Sequence, residues 1–212
     1  NSYGSYAKLT YQFINENRDY IEYPLSGYYI HIEGTKYVKV LSPVNHFEII
    51  GHAEKHIELK NRIFLGSSLK GKWSSNYYQP YFAQKGFGFD DYIRGYEHYV
   101  IDGQDFWLSK SALKYALIQK TNFDIPYIKM KQFNKSHYSL YFGIFSDIGY
   151  VSDNQMSQYN SLTNSLLFGY GISLDYVTYY DKLLRIEFST NHLGEKGVFL
   201  HFSNPFGSKK KL

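Results

Sequence analysis

The sequence predicts an all-β chain laid out as an antiparallel transmembrane β-barrel. Apolar residues recur with a period of two rather than 3.6. The segments carrying that pattern mostly run 10–14 residues. That exceeds the ~5–6 of ordinary soluble strands and meets the ~9–11 a tilted strand needs to cross a bilayer. The connections are very unequal in length, and outer-membrane barrels alternate short turns with long loops.

Two segments show the pattern most clearly. Tyr138, Leu140, Phe142, Ile144, Ser146, Ile148 and Tyr150 fall on one side of a ribbon. Ser139, Tyr141, Gly143, Phe145, Asp147 and Gly149 fall on the other. Leu166, Phe168, Tyr170, Ile172, Leu174 and Tyr176 likewise alternate with Leu167, Gly169, Gly171, Ser173 and Asp175. Successive strand side chains point to opposite faces, so each ribbon has one greasy side and one small or polar side. The same reading places nine strands near 5–14, 26–38, 46–59, 62–74, 105–118, 138–150, 165–178, 182–191 and 197–206. Tight connections are expected at Lys60-Asn61, from Thr178 to Lys182 and at 192–196, and long ones at 75–104, 119–137 and 151–164. Tyr28, Tyr37, Tyr138, Tyr150, Tyr170 and Tyr176 suit interfacial girdles. A soluble β-sandwich also alternates, but strand length, terminal aromatics and glycine on the polar face favour the barrel.

Composition narrows the function classes. Lys plus Arg is 23 and Asp plus Glu is 19, a net +4 over 212 residues, too mild and too dispersed for a nucleic-acid surface. Cysteine is absent, which removes disulfides, thiolate metal sites and thiol nucleophiles. No stretch approaches the ~18 apolar residues of a transmembrane helix. The chain opens Asn1-Ser2-Tyr3-Gly4, without an initiating Met or signal peptide, and is expected to be processed or part of something longer. Residues 207–212 read as a basic tail.

No ordered Ser-His-Asp set, catalytic carboxylate pair or phosphate-binding glycine loop is evident, so no catalytic residue and no cofactor are expected. His52, Glu54, His56 and Glu58 alternate with Ala53 and Ile57. On a strand they form a row of ~13 Å at ~3.3 Å per residue, too spread for one ion, so they read as a hydrated wall. Arg185 and Glu187 read the same way. Lys55 breaks the apolar face and is expected near an interface.

The most specific segment is Gly86-Phe87-Gly88-Phe89-Asp90-Asp91-Tyr92-Ile93-Arg94-Gly95-Tyr96, inside the 75–104 loop. Ile93-Arg94-Gly95-Tyr96 resembles the Val/Ile-Arg-Gly-Phe/Tyr motif of the BamA/TamA outer-membrane insertase superfamily. Further segments follow in family order: NENRDYIEYPLSG at 15–27, FSDIG at 145–149, LFGYGISLDY at 167–176, LLRIEFS at 183–189 and GVFLHFSNPF at 197–206. The resemblance covers essentially the whole chain. It implies that residues 1–206 are the C-terminal part, the last nine strands, of a sixteen-stranded barrel, with earlier strands and periplasmic POTRA domains upstream. It implies that the 75–104 loop folds into the lumen and that Arg94 pairs with Asp147 of the Phe-x-Asp-x-Gly strand, beside Gly149. It also implies a seam at the closing strand, where Gly197, Phe199, His201, Pro205 and Phe206 lie. Pro205 removes a ladder donor, which fits either a weakened seam or an ordinary strand end.

One position departs from the family pattern. Where an inward Glu is usual in the strand after the loop, this chain has Lys114, which repels Arg94. Glu97, Asp102 or another carboxylate must compensate, or the loop sits differently. The function implied is assembly: inserting and folding other barrels in the bacterial outer membrane, without covalent chemistry. Lipids, unfolded clients and accessory lipoproteins would be partners. A two-partner-type export pore, or a barrel anchoring an upstream enzyme domain, remains open.

Overall fold

A computed structural model describes residues 6–39, 46–75, 83–124, 135–154, 160–178 and 182–202. Among the described residues, nine antiparallel strands form one sheet in strict sequence order. They are β1 (Tyr6–Arg18), β2 (Gly27–Lys39), β3 (His46–Lys60), β4 (Ile63–Ser74), β5 (Asp105–Asp124), β6 (Lys135–Ser152), β7 (Leu166–Thr178), β8 (Lys182–Asn191) and β9 (Lys196–His201). The sheet is not closed among these residues, where β1 and β9 pair on one side only.

The period-two pattern determines which face each residue takes. Along β6, Ser139, Tyr141, Gly143, Phe145, Asp147 and Gly149 are all buried, while Phe142 and Ile144 are exposed. One cross-strand row on the outer face runs Ile57, Leu65, Leu113, Ile144, Ile172, Phe188, Val198, each residue registered against the next. It spans β3 to β9 without a polar side chain. Exposure reaches 54% at Ile144 and 70% at Val198. The opposite face buries Asp147, Asp175, Arg185 and Glu187 almost completely. The sheet is therefore inverted relative to a soluble core, where buried charge is rare and large exposed apolar patches are small.

The inner face is concave. The Tyr92 ring lies 4.1 Å from the Lys110 ammonium of β5 and stacks at 5.8 Å on His201 of β9. A flat sheet would hold those strands ~19 Å apart. Side chains stand roughly perpendicular to a sheet and cannot span that gap laterally. The sheet must curl around the loop that carries Tyr92.

Several details differ from the sequence expectations. β5 and β6 run further, to Asp124 and from Lys135, because the pairing continues past register shifts at Ala116/Ile118 and Ile118/Thr121. The division into short-turn and long-loop ends is also imperfect. The brief β8–β9 connection, where Gly194 takes a positive φ, leaves the same end as the long β4–β5 and β6–β7 connections, while the β5–β6 connection leaves the other. Tyr37 is not an outer girdle residue. Its neighbours in register turn it inward, where it stacks at 4.3 Å on His46 and donates to Glu48. Trp73 and Trp107 instead face outward near that end of the sheet. Lys55 faces outward too, 5.6 Å from the Tyr28 ring. Pro205, Phe206 and the basic tail lie outside the described residues.

Candidate functional site: a loop docked by buried arginine

The connection between β4 and β5 folds onto the inner face. Its arms are held by backbone bonds between Phe87 and Ile101, both 2.8 Å, and by Lys72, whose ammonium donates to the carbonyls of Ala83 and Lys85 at 2.9 Å. A tight turn at 93–96 forms the tip, closed by the Tyr96 N–H donating to Ile93 O at 2.9 Å. Gly95 adopts a φ of 95°, which an L side chain rarely takes. Ile93 and Tyr96 enter an apolar cluster with Phe87, Ile101, Val151 and Leu167. The Tyr96 hydroxyl also meets His192.

Between those anchors, Arg94 points into the sheet. Its Nε and Nη2 donate to the two Asp147 oxygens at 2.8 and 2.5 Å, and its backbone N–H adds a third bond at 3.1 Å. The guanidinium lies 3.9 Å above the Phe145 ring and also donates to Ser111 O. A planar fork on a carboxylate fixes direction as well as charge. Burial works against the charge on Arg94, but Asp147 outweighs it and raises the guanidinium pKa. Asp147 is inward because Phe145, Asp147 and Gly149 share strand parity. Gly149 lies directly under Phe87 and Ile93. On β7, a Cβ at Gly169 would overlap the Arg94 carbonyl, so only glycine lets the tip approach this closely.

A second fork lies beside the first. Arg185 Nε and Nη2 donate to Asp175 at 2.6 Å each. The Tyr23 hydroxyl, from the β1–β2 turn, donates to Asp175 at 2.8 Å. Glu187 stands between the two arginines, 3.4 Å from Arg185 and 3.9 Å from Arg94. Lys114 lies beside this second fork. Its ammonium sits 3.9 Å over the Tyr23 ring and donates to Pro24 O at 3.3 Å. Asp19 holds this turn by accepting from the N–H groups of Tyr20, Leu25 and Ser26.

Arg94, Gly95, Tyr96, Ile93, Asp147 and Gly149 thus come together. On β9, Gly197, Phe199 and His201 share the inner face, with Phe199 against the His98 ring at 5.4 Å. Glu97 is half-buried, its pKa raised by burial although Gly95 N–H donates to it at 2.8 Å. His52, Glu54 and His56 do face inward, grouped around Glu54, which pairs with Arg18 at 2.9 Å and lies 3.2 Å from His52 and 3.1 Å from His56. Glu58 is exposed. The arrangement offers positioned charge and an open strand edge. The Asp175–Arg185 pair was within reach of the sequence, since setting Thr178 opposite Lys182 sets 175 opposite 185. Tyr23 and Gly169 carried no such signal.

No family model, curated protein or solved structure matches this chain.

Proposed function

We propose that this chain is part of an integral outer-membrane β-barrel that inserts and folds other barrel proteins. The observation that carries the reading is the unbroken outer row from Ile57 to Val198, set against the buried forks on the inner face. Hydrocarbon solvates the first and an enclosed polar interior the second. In lipid both open edges need partners, so β1 and β9 meet further strands in this reading. The resemblance to the BamA/TamA superfamily supplies their number and the POTRA domains.

The assembly role rests on β9. Among the described residues it spans Lys196–His201 and pairs with β8 from Arg185 to Thr190. A closing strand that comes away from its neighbour frees N–H and C=O groups that can template an incoming strand. An export pore would need the 83–104 loop to leave the inner face, breaking the Arg94 fork, so the docked loop favours assembly over export. Unfolded clients and lipid are then the partners, with accessory lipoproteins implied by the resemblance alone.

Because the chain has no cysteine, Leu200→Cys on β9 gives a single reactive thiol in it. Purified protein in liposomes is expected to accelerate folding of an added unfolded barrel. It should also form a disulfide from position 200 to a cysteine in the client's terminal strand. Unchanged folding rates with no cross-link would reject the role.

A further inference from the structure

We propose that Glu97, Glu187 and His201 form a site for a first-row divalent cation of the Zn2+ class, joining the inserted loop to the last two strands. Glu97 comes from the loop, Glu187 from β8 and His201 from β9. One donor atom from each, Glu97 Oε1, Glu187 Oε2 and His201 Nε2, lies within 4.8 Å of the others. His201 Nε2 is 3.2 Å from Glu187 Oε2 and 4.0 Å from Glu97 Oε1. Zinc bonds of ~2.0–2.2 Å place tetrahedral donors ~3.3 Å apart, within the span observed.

What points to a ligand is that these same three atoms are buried and make no hydrogen bond among the described residues. Glu187 is fully buried, so an oxygen of it aimed at the group without a hydrogen-bond donor is costly. The other atoms of the same side chains are held. Glu97 Oε2 accepts from Gly95 N–H at 2.8 Å. Glu187 Oε1 accepts from Arg185 at 3.4 Å. The His201 ring stacks on Tyr92 with an interplanar angle of 18°. Ligands oriented from behind in this way are the usual surroundings of a metal. Two carboxylates and one imidazole suit Zn2+ better than a thiolate-seeking ion, and a water would complete four positions. The geometry is independent of whether the sheet lies in lipid. The ion would tie the edge strand to the loop, making release of β9 metal-dependent.

The test is calorimetric titration of the chelator-stripped, purified full-length protein with ZnCl2. Saturable binding of one Zn2+ at this site is expected. Glu97→Gln, which keeps the Gly95 contact, and His201→Ala should each weaken it tenfold or more, while His52→Ala on the same face should not. Zinc X-ray absorption should report only nitrogen and oxygen ligands. Should His201→Ala misfold, His201→Gln replaces it. No saturable binding, or wild-type affinity in either ligand variant, would overturn the proposal and leave an imidazolium held between two carboxylates.

Discussion

The β1–β2 side of the sheet and the β5–β8 side use the same backbone geometry and end up differently. β1 is paired to β2 along all 13 of its residues, and β8 to β7 along all 10. Yet nearly every described residue of β1 is exposed on both faces, whereas along β8 every second residue is buried. Strand pairing therefore does not bury side chains here. The inserted loop does, by covering the inner face of β5–β8 and leaving that of β1 open. On the covered side the forks of Arg94 and Arg185 are buried on both partners. On the open side Gln12 donates to Glu33 at 2.6 Å near solvent, and Arg18 forks onto an exposed Glu16 at 2.7 and 2.6 Å.

Removing an inner partner should separate the two regions most sharply. Asp147→Ala leaves Arg94 buried without its carboxylate, which costs about 3–5 kcal/mol. Urea unfolding should record that loss, and limited proteolysis should cut the freed loop. The double exchange Arg94→Asp with Asp147→Arg should recover part of it, and simple additivity of the two single effects would argue against the contact. On the outer face, Ile144→Arg should cost about 2–4 kcal/mol for folding into lipid vesicles. A side chain 54% exposed to water would tolerate the same change, so the outer solvent is read directly. Gly169→Ala, by pushing against the Arg94 carbonyl, should cost about 1–3 kcal/mol and raise protease access to residues 93–96. Gln12→Ala, on the open side, should stay within about 0.5 kcal/mol. A large loss at Gln12 would mean that something covers β1 as the loop covers β5–β8.

Strand positions and facing were largely legible in the sequence because a period of two leaves little freedom once one face is apolar. Phe145, Asp147 and Gly149 could be placed inward by counting alone. Tyr37 could not, because an aromatic near a strand end fits either face until register is known. The contact between Arg94 and Asp147 came from resemblance, not from spacing: 53 residues separate the pair. The accommodation of Lys114 was not legible at all. It depends on the β1–β2 turn folding inward so that Tyr23 and Pro24 reach a strand some 90 residues away. The gathering of Glu97, Glu187 and His201 likewise needs the loop, β8 and β9 in place together.

The central claim is that the outer face meets hydrocarbon, and the chain's two tryptophans report on it. Trp73 and Trp107 both point outward, 55% and 41% exposed. The signal is the fluorescence difference between the wild type and the Trp73→Phe/Trp107→Phe variant in vesicles containing brominated lipid. The account predicts blue-shifted emission, strongly quenched by the bromines and protected from aqueous iodide. Red-shifted emission quenched by iodide and indifferent to brominated lipid would contradict it.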